Sequence, residues 1–487
     1  MSFSFMPFLV ILVALLNVVP IVVTGRNPRL RNRCMVSGAA LLFVLVAAML
    51  PAVLRGEMFG LEIARLLPGA SLKLRVDAMG IFFAMVASGL WLATSFYAIG
   101  YMQSLKEHSQ TRFFAFFAVA ICAALGVAFS ANFLTLYLFY EMLSLATYPL
   151  VTHDQTPEAY AAGRKYLCYL LGTSITCVLP ALVMVWVSTG SLDFADNIHT
   201  GVFSGEVPSA VIMTIYALCL CGFAKAAIMP IHGWLPAAMV APTPVSALLH
   251  AVAVVKVGVF SLSRVMLYLF GVETMHRLCL GTATVWIVSI TIVVASLVAL
   301  TKDNLKERLA YSTISQLSYI ILGVALLTPE GICGGLIHIV NHAVSKITLF
   351  FCAGAIYVAS RKRNISELDG LGQVMPFTFA AFGIASLSMI GAPPAAGFIT
   401  KWYLFLGSMS ASQYGVMAVL IISTLLNIGY FAPVVYRAVF AVPAPEDKNI
   451  REAPRMMLIP LCVTACLSVL LGIFPKFFIT LVEGVLK

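Results

Sequence analysis

The stretch Gly335–Lys346, which reads GLIHIVNHAVSK, combines an apolar helix pattern with three ionisable side chains. His338, His342 and Lys346 are spaced four residues apart, so in an α-helix they drift by only about 80° and share one face. The surrounding run, residues 332–358, is long and apolar enough to cross a bilayer. The stretch therefore predicts a membrane-spanning helix with a line of polar groups that lipid cannot accommodate.

Comparable apolar runs recur along nearly all of the 487 residues, of which 61% are hydrophobic and only 10% charged. A soluble protein of this size could not bury so much apolar surface. We therefore predict an all-α polytopic membrane protein with about fourteen transmembrane helices, the first of them retained rather than cleaved as a signal peptide. The predicted spans are 5–24, 35–54, 78–100, 113–130, 132–151, 164–188, 209–229, 244–270, 281–300, 311–327, 332–358, 377–408, 413–437 and 456–480.

The net charge of +10 is better explained by membrane topology than by binding to nucleic acid. Alternate loops differ sharply, because one set holds 18 of the 30 Lys and Arg residues and the opposite set holds seven. The positive-inside rule places the basic set in the cytoplasm. With fourteen spans, both termini are then expected on the outer face of the cell (inner) membrane.

The remaining basic residues lie inside predicted spans, where a charge costs about 2.5–3.5 kcal/mol on insertion scales. They are Lys225, Lys256, Arg264, Lys346 and Lys401, accompanied by Glu141 within a span and Asp77 at a span entrance. A single buried pair would be compatible with a purely structural ion pair. Charges on this many separate spans favour an ion or proton pathway that faces the interior of the bundle.

Two of these lysines lie next to predicted helix breaks. Pro230 follows Lys225 by five residues, and Pro393 and Pro394 precede Lys401. Proline removes a backbone donor, and a broken helix is tolerated in lipid only where protein or a cavity covers it. Corresponding interruptions in the two halves of a chain are typical of transporter sites built from repeats.

The chemistry of these residues favours a proton relay. Histidine titrates near neutrality and can accept a proton on one ring nitrogen while releasing one from the other. A lysine beside a movable carboxylate can load and release a proton as their separation changes. We interpret Glu141 and Lys225 as such a pair, with the proton passing through His250, Lys256 and the histidines of Gly335–Lys346 toward Lys401. Bridging waters are expected, because neighbouring spans hold these groups too far apart for direct contact.

Metal and redox chemistry are not indicated. The 11 cysteines are scattered through apolar segments without a Cys-x-x-Cys pair, which is typical of small core residues. His338 and His342 have the spacing of a metal-binding pair, but the neighbourhood offers no carboxylate or thiolate, and a charged Lys346 would repel a cation. We therefore expect no cofactor and no metal site.

Four long stretches carry a resemblance to a known family. They are PIHGWLPAAMVAPTPVSALLHAVAVVKVGVF, LKERLAYSTISQLSYIILG, HIVNHAVSKITLFFCAGAI and GAPPAAGFITKWYLF. The chain, over roughly residues 70–440, resembles the antiporter-like membrane subunits of respiratory complex I, of Mrp-type sodium/proton antiporters and of membrane-bound hydrogenases. Ala237 replaces an aspartate that many members carry. The lysine at position 401 resembles the residue found there in the Mrp D-type subunits and in some complex I members. The chain ends soon after its last helix, and in this respect the chain resembles a D-type or middle pumping subunit.

This resemblance implies fourteen helices with two inverted five-helix repeats and discontinuous helices seven and twelve. It divides a single membrane domain, 1–487, into residues 1–110, a first repeat 111–270, a second repeat 281–440 and a last helix 456–482. The proton-pathway positions that it implies are Glu141, Lys225, His250, Lys256, His338, His342, Lys346 and Lys401.

The leading functional prediction is proton translocation, with or without sodium or potassium antiport, by one subunit of a larger membrane complex. Other membrane subunits and the lipid bilayer are the expected partners. One alternative is a self-sufficient cation/proton antiporter. Another is a non-pumping membrane anchor of a hydrogenase or inorganic-carbon uptake complex, with its charges idle.

Overall fold

The computed structural model describes residues 2–203 and 205–486, apart from the side chains of residues 2 and 249–251. Helices dominate the described chain, and every predicted span contains helix. Helices of the first part of the chain are α1 Met6–Leu16, α2 Val18–Val23, α3 Pro28–Leu54, α4 Ala78–Ser104, α5 Gln110–Ala128, α6 Phe133–Val151, α7 Pro157–Thr173 and α8 Leu179–Thr189. A π-helical turn, Ser174–Val178, joins α7 to α8.

The middle and last parts of the chain continue in the same manner. Next in order are α9 Ser209–Gly222, α10 Trp234–Ala237, α11 Thr243–Ala251, α12 Val254–Arg264, α13 Val272–Arg277, α14 Leu280–Thr301 and α15 Leu305–Ala325. The remaining helices are α16 Pro329–Ser360, α17 Leu371–Val374, α18 Pro376–Ile390, α19 Ala396–Ser410, α20 Tyr414–Phe440, α21 Arg455–Ile473 and α22 Lys476–Leu486. Short 3₁₀ segments are Ala224–Ala226, Ala238–Val240, Ile365–Glu367 and Pro445–Asn449, and Val265–Phe270 is a second π-helical turn.

The composition of the helices suits a bilayer. Within the described residues, 10 helical segments are long and apolar enough to cross a membrane, and α9 and α18 are shorter apolar helices. Large apolar side chains lie exposed on the outside of the bundle, among them Ile290 on α14 and Leu425 on α20. Such a surface is stable only against lipid or another apolar partner. The prediction of an all-α polytopic membrane protein is confirmed, whereas the exact number of spans and the inverted repeats stay predictions.

Polar side chains cap the first turn of several helices, because the first backbone N–H groups of a helix have no partner within it. Asn132 accepts a hydrogen bond from the Thr135 N–H at 2.8 Å, at the start of α6. Thr328 does the same for Gly331 at 3.2 Å, and Pro329 then occupies the first position of α16, where its missing N–H costs nothing. These local signals fix where the site-bearing helices start.

Both predicted breaks are present. Helix α9 ends at Gly222, and the chain passes through the Ala224–Ala226 turn before helix resumes at Trp234. Helix α18 ends at Ile390, the next residue Gly391 adopts a left-handed conformation with φ 87°, and α19 begins at Ala396. The span predicted over 244–270 is also divided, since α11 ends at Ala251 and α12 begins at Val254. Valines cluster around this third break, and β-branched residues lower helix propensity.

A small sheet accompanies the helices and was not predicted. Strand β1 Ser2–Phe3 pairs in parallel with β2 Phe59–Leu67, which pairs antiparallel with β3 Ala70–Val76. Apolar and polar residues alternate along β3 as Leu72, Lys73, Leu74, Arg75 and Val76, the two-residue period of a strand. This alternation is the sequence signal for the strand, but it is short and lies between long apolar runs that predict helices.

Helix α16 lies at the centre of the bundle. All of its residues from Gly331 to Ile356 are buried, and it packs against α4, α11, α15, α18, α19 and α21. A helix that is buried on every side needs no amphipathic pattern. Polar side chains at its surface must therefore meet partners from neighbouring helices.

One buried charge is part of the scaffold. Arg264, in the last turn of α12, makes two hydrogen bonds to the carboxylate of Asp77, one of them 2.9 Å long. Asp77 also accepts from the Gly80 N–H at 2.7 Å and lies 3.4 Å from the Arg75 guanidinium. A carboxylate with this many donors is a satisfied ion-pair network. Arg264 therefore ties α12 to the start of α4.

Replacing Arg264 with Met is expected to destabilise the protein by about 3–5 kcal/mol, because Asp77 would stay buried without its main partner. Thermal unfolding in detergent measures the loss. Arg277→Met, at an exposed arginine, is the matched control. In the double variant Arg264→Met/Asp77→Leu, the loss of stability should be smaller than the sum of the losses in the Arg264→Met and Asp77→Leu single variants. Additive losses would contradict the pairing.

Candidate functional site

Lys225 is fully buried in the turn that follows α9. Its ammonium donates to the Tyr140 carbonyl oxygen at 2.8 Å and to the Ser144 hydroxyl at 2.7 Å, both on α6. The Tyr140 ring lies against it, with its centroid 3.1 Å from Nζ. Carbonyl, hydroxyl and π-face together replace the hydration of the ammonium. The broken helix thus brings a lysine onto α6 at a prepared polar surface.

Glu141 neighbours this surface but does not pair directly with Lys225. Ser144, which binds the lysine, follows Glu141 by three residues and so lies on the same side of α6. Within the described residues, no salt bridge joins Glu141 to Lys225. The carboxylate oxygens are buried near Ser174, in the π-helical turn, without a well-formed hydrogen bond to the described protein groups. Glu141 and Lys225 are therefore neighbours that form no direct ion pair.

A glycine lets α12 approach the Lys225 turn. A Cβ on Gly258 would lie 2.3 Å from the carbonyl carbon of Lys225 and from the backbone nitrogen of Ala226. No side chain fits at that distance. Lys256 lies two residues earlier on the same helix and so points to a different side of α12.

Lys256 contacts one histidine of the sequence GLIHIVNHAVSK. Its Nζ lies 2.7 Å from Nδ1 of His342, and both side chains are buried. This distance is that of a direct hydrogen bond between a lysine and an imidazole. The contact joins α12 to the central helix α16.

A row of rings continues from His342. The ring centroids of His342 and His338 are 5.7 Å apart, and those of His338 and Tyr319 are also 5.7 Å apart. Beyond Tyr319, which belongs to α15, the ammonium of Lys401 lies 5.8 Å from its ring centroid. Lys256, two histidines, a tyrosine and Lys401 therefore form one row across the four helices α12, α16, α15 and α19.

Lys401 is coordinated at the second break much as Lys225 is at the first. Its ammonium donates to the Ile390 carbonyl oxygen at 2.6 Å and to the Thr424 hydroxyl at 2.7 Å. Ile390 is the last residue of α18, and helix ends leave carbonyl groups without helical partners. The break supplies the acceptor that the lysine needs.

Lys346 faces the same helix as His338 does. Its ammonium donates to the Ser312 hydroxyl on α15 and lies 5.6 Å from the Phe431 ring centroid. His338 approaches Tyr319, also on α15, so these residues share a face of α16 as the spacing predicts, although Lys346 contacts Ser312 rather than a ring of the row. The side chain of His250 lies outside the described residues, so the prediction for it has no structural counterpart here.

Several groups that contact these residues were missed from the sequence. Tyr140 and Ser144 hold Lys225, Ser312 holds Lys346, Tyr319 bridges to Lys401, and Thr424 holds Lys401. Ser312 and Tyr319 are seven residues apart, the spacing of one helix face, inside a stretch already quoted for its resemblance. That seven-residue spacing on α15 was the available signal. Tyr140, Ser144 and Thr424 do not stand out in the sequence by a comparable signal.

Comparison with known proteins identifies relatives in sequence. The family described as "NADH:quinone oxidoreductase/Mrp antiporter, TM" matches residues 130–427. NADH-quinone oxidoreductase subunit N of Desulforudis audaxviator is 31% identical over 470 residues, covering 93% of this chain and 92% of that protein. A probable K(+)/H(+) antiporter protein of Rhizobium meliloti is 31% identical over 451 residues, which are 90% of this chain but only 44% of that protein.

Solved structures share the fold. The structure of the Mrp complex from Dietzia sp. contains a chain that superposes with a TM-score of 0.89 at 21% identity, covering 99% of this chain and 96% of that one. A chain of the membrane-bound sulfane sulfur reductase, described as an archaeal respiratory membrane complex, superposes with a TM-score of 0.88 at 22% identity, covering 99% and 98%. At these identities the likeness concerns the fold alone.

The bundle, its two broken helices and its buried row of basic side chains define a polytopic membrane protein of the antiporter-like class. The chain belongs to the family of NADH:quinone oxidoreductase and Mrp antiporter transmembrane subunits. The resemblance found in its motifs is thereby confirmed.

Gly258→Ala is expected to displace the Lys225 turn, because the new Cβ would meet backbone atoms at 2.3 Å. Overpacking of this kind costs about 1–3 kcal/mol. Thermal unfolding in detergent and proton flux in membrane vesicles should both fall. Gly383→Ala, where the nearest atom lies at 4.0 Å, should leave both unchanged or slightly raised. Equal behaviour of the two variants would show that the close approach is unimportant.

Proposed function

We propose that this chain translocates protons through the membrane as the antiporter-like subunit of a multisubunit complex, with sodium or potassium as an additional substrate in the antiporter form. The pathway comprises Glu141, Lys225, His250, Lys256, His338, His342, Lys346 and Lys401. The observation that carries the proposal is the 2.7 Å contact between Lys256 and His342, at the head of a buried row that ends at Lys401.

The Lys256–His342 contact supports proton exchange in either direction. A charged lysine donates to a neutral Nδ1, and a neutral lysine accepts from an Nδ1–H or from a charged imidazole. Because both groups are buried, whichever carries the charge is sensitive to small changes in its surroundings. A rotation of either side chain is enough to decide where the proton rests.

Beyond His342 the spacing requires intermediates. His338 makes no well-formed side-chain hydrogen bond to His342 or to Tyr319 among the described residues, although the ring centroids are only 5.7 Å apart, so we propose that a water molecule completes each of these steps. The site is suited to it, because neither ring nitrogen of His338 has a hydrogen-bond partner among the described protein groups. Tyr319 then offers a hydroxyl and a ring face on the way to Lys401.

Glu141 and Lys225 form the other end of the proposed pathway. With its carbonyl, hydroxyl and aromatic contacts, Lys225 can hold a charge without touching the carboxylate. The approach or withdrawal of a Glu141 charge then shifts the balance between retaining and passing on the proton. A carboxylate that acts across a gap serves this purpose better than a closed ion pair.

The surroundings of Glu141 support a neighbouring protein in the complex. Leu138 and Leu145, one turn before and one turn after it on α6, have 43% and 57% of their surface exposed. A carboxylate this near to lipid would be costly, so a neighbouring protein surface is the better environment. The two structures with the same fold are described as the Mrp complex and as a respiratory membrane complex.

The two breaks favour an internal repeat. In 111–270, α9 ends before the turn that holds Lys225, and in 281–440, α18 ends before the segment that holds Lys401. Each lysine donates to a carbonyl oxygen and a hydroxyl. We assign 1–110 and 456–482 to helices that flank the two repeats of the membrane domain, 1–487.

Lys225→Ala and His342→Ala are each expected to reduce proton flux by on the order of 10-fold or more, because either removes a proton-carrying group. The measurement is dye-reported flux in inverted vesicles that contain the assembled complex. Lys448→Ala, at an exposed loop lysine, is the matched control. Normal flux in both site variants, with assembly intact, would favour the non-pumping anchor.

The same dye in proteoliposomes that contain the purified chain alone separates the remaining alternatives. Flux driven by an imposed sodium or potassium gradient would support a self-sufficient antiporter. If the chain alone shows no proton flux under those gradients, while the assembled complex does, the result agrees with the proposal that the chain works as one part of a larger complex.

The orientation follows from the loop charges. We propose that both termini lie on the outer face of the cell (inner) membrane, with the basic loops in the cytoplasm. A C-terminal alkaline phosphatase fusion should then be active, and a C-terminal green fluorescent protein fusion should stay dark. The opposite pair of results would overturn the orientation.

A further inference from the structure

We infer that Glu107, His108 and His153 form a binding site for a divalent transition metal, of which Zn²⁺ is the best match. The three residues lie on two connections, one between α4 and α5 and the other directly after α6. One ligand atom from each residue lies within 4.8 Å of the other two. The group is separate from the row of lysines and histidines on α12, α16 and α19.

His153 is the residue that points most directly to a ligand. Its side chain is completely buried, yet neither ring nitrogen makes a well-formed hydrogen bond with the described protein groups, although the His108 backbone lies near. A buried polar group without a partner costs roughly 1–3 kcal/mol unless something satisfies it. A buried imidazole without a hydrogen-bond partner is a nitrogen donor that a metal ion can satisfy.

The contacts of His108 leave its Nδ1 available for coordination. Its Nε2 lies 2.9 Å from the carbonyl oxygen of His153, and its Nδ1 lies 4.0 Å from a carboxylate oxygen of Glu107. A metal-binding histidine characteristically donates its other ring N–H to a carbonyl or carboxylate, which fixes the tautomer and the ring direction. The two histidine rings stack with centroids 4.7 Å apart and an angle of 25° between their planes, so binding requires a rotation of the rings that brings both nitrogen lone pairs onto one ion.

The cluster lies among charges of both signs. Asp154 adds a second carboxylate that interacts with Glu107, and Arg361 interacts with Glu107 as well. Arg112 also faces His153, but its guanidinium donates to the His153 carbonyl oxygen at 3.2 Å. Lys306, in the first turn of α15, and Arg363 interact with Asp154. Basic groups outnumber the carboxylates here, so the two imidazoles rather than the net charge supply the affinity for a dication.

The donor set selects the metal. Two imidazoles with one carboxylate suit Zn²⁺, leaving a fourth position for water, whereas Mg²⁺ and Ca²⁺ prefer oxygen ligands. Because His108 and His153 are 45 residues apart, no sequence spacing reveals the site. Occupancy would join two connections that the backbone does not link, and so stabilise this end of the bundle.

The test uses the full-length chain purified in detergent, with exposed thiols alkylated because Cys168, Cys221, Cys279 and Cys466 are exposed. Zn²⁺ is titrated by competition with a chromophoric chelator, and Co²⁺ reports the coordination geometry through its absorption. We expect one Zn²⁺ per chain, no displacement by excess Mg²⁺, and a higher melting temperature with the metal.

His108→Ala should weaken Zn²⁺ binding by at least about 10-fold and remove the thermal shift. His108 is exposed, so the variant should fold, and Glu107→Gln provides a second, conservative change. His199→Ala, at an exposed histidine elsewhere, is the matched control and should bind as the unmodified chain does. Equal affinity of the His108 and His199 variants, or no binding by the unmodified chain, would overturn the proposal.

Discussion

An ammonium group inside a membrane must find its acceptors within the protein, and this requirement accounts for the broken helices. Most carbonyl groups of an unbroken helix are already hydrogen-bonded within it, although the Tyr140 carbonyl oxygen on α6 also accepts from Lys225. Where α18 stops, the carbonyl oxygen of Ile390 becomes available to Lys401. Where α9 stops, the chain turns far enough for Lys225 to reach α6. In both places the interruption converts a costly charge into a coordinated one.

The central helix α16 contacts several helices that carry other buried lysines or their acceptors. Its burial on all sides means that each polar residue must contact a neighbouring helix. His342 meets α12, and Lys346 meets α15. Asn341 donates to the Ala396 carbonyl oxygen and the Thr400 hydroxyl, which anchors the start of α19. The helix that carries the histidines also holds the second break in place.

Two kinds of buried charge can be distinguished. Arg264 is matched by a carboxylate in a two-point contact and has no need to change its state. Lys225, Lys256 and Lys346 are held by neutral oxygen, nitrogen and aromatic groups. A charge that is satisfied by neutral acceptors can be given up more readily than one locked in an ion pair. This difference separates the scaffold from the proposed pathway.

The sequence by itself determined the membrane class, the positions of the helices, the two proline-marked breaks and the identity of the buried ionisable residues. Apolar periodicity, proline and the rarity of charge in lipid are local properties, so they can be read without a structure. The antiporter-like resemblance also came from contiguous motifs. The alternation of apolar and polar residues in β3 is also a local property, but the run is short and lies between much longer apolar segments.

Only the tertiary structure decided which charges meet. Lys256 and His342 are 86 residues apart, and Arg264 and Asp77 are 187 residues apart. Such partners depend on how helices pack, and no periodicity encodes them. Packing alone turned Lys346 toward Ser312, placed Tyr319 between His338 and Lys401, and left Glu141 near Lys225 without contact. The face that a residue occupies is a local property, whereas its neighbour across the interface is a property of the whole bundle.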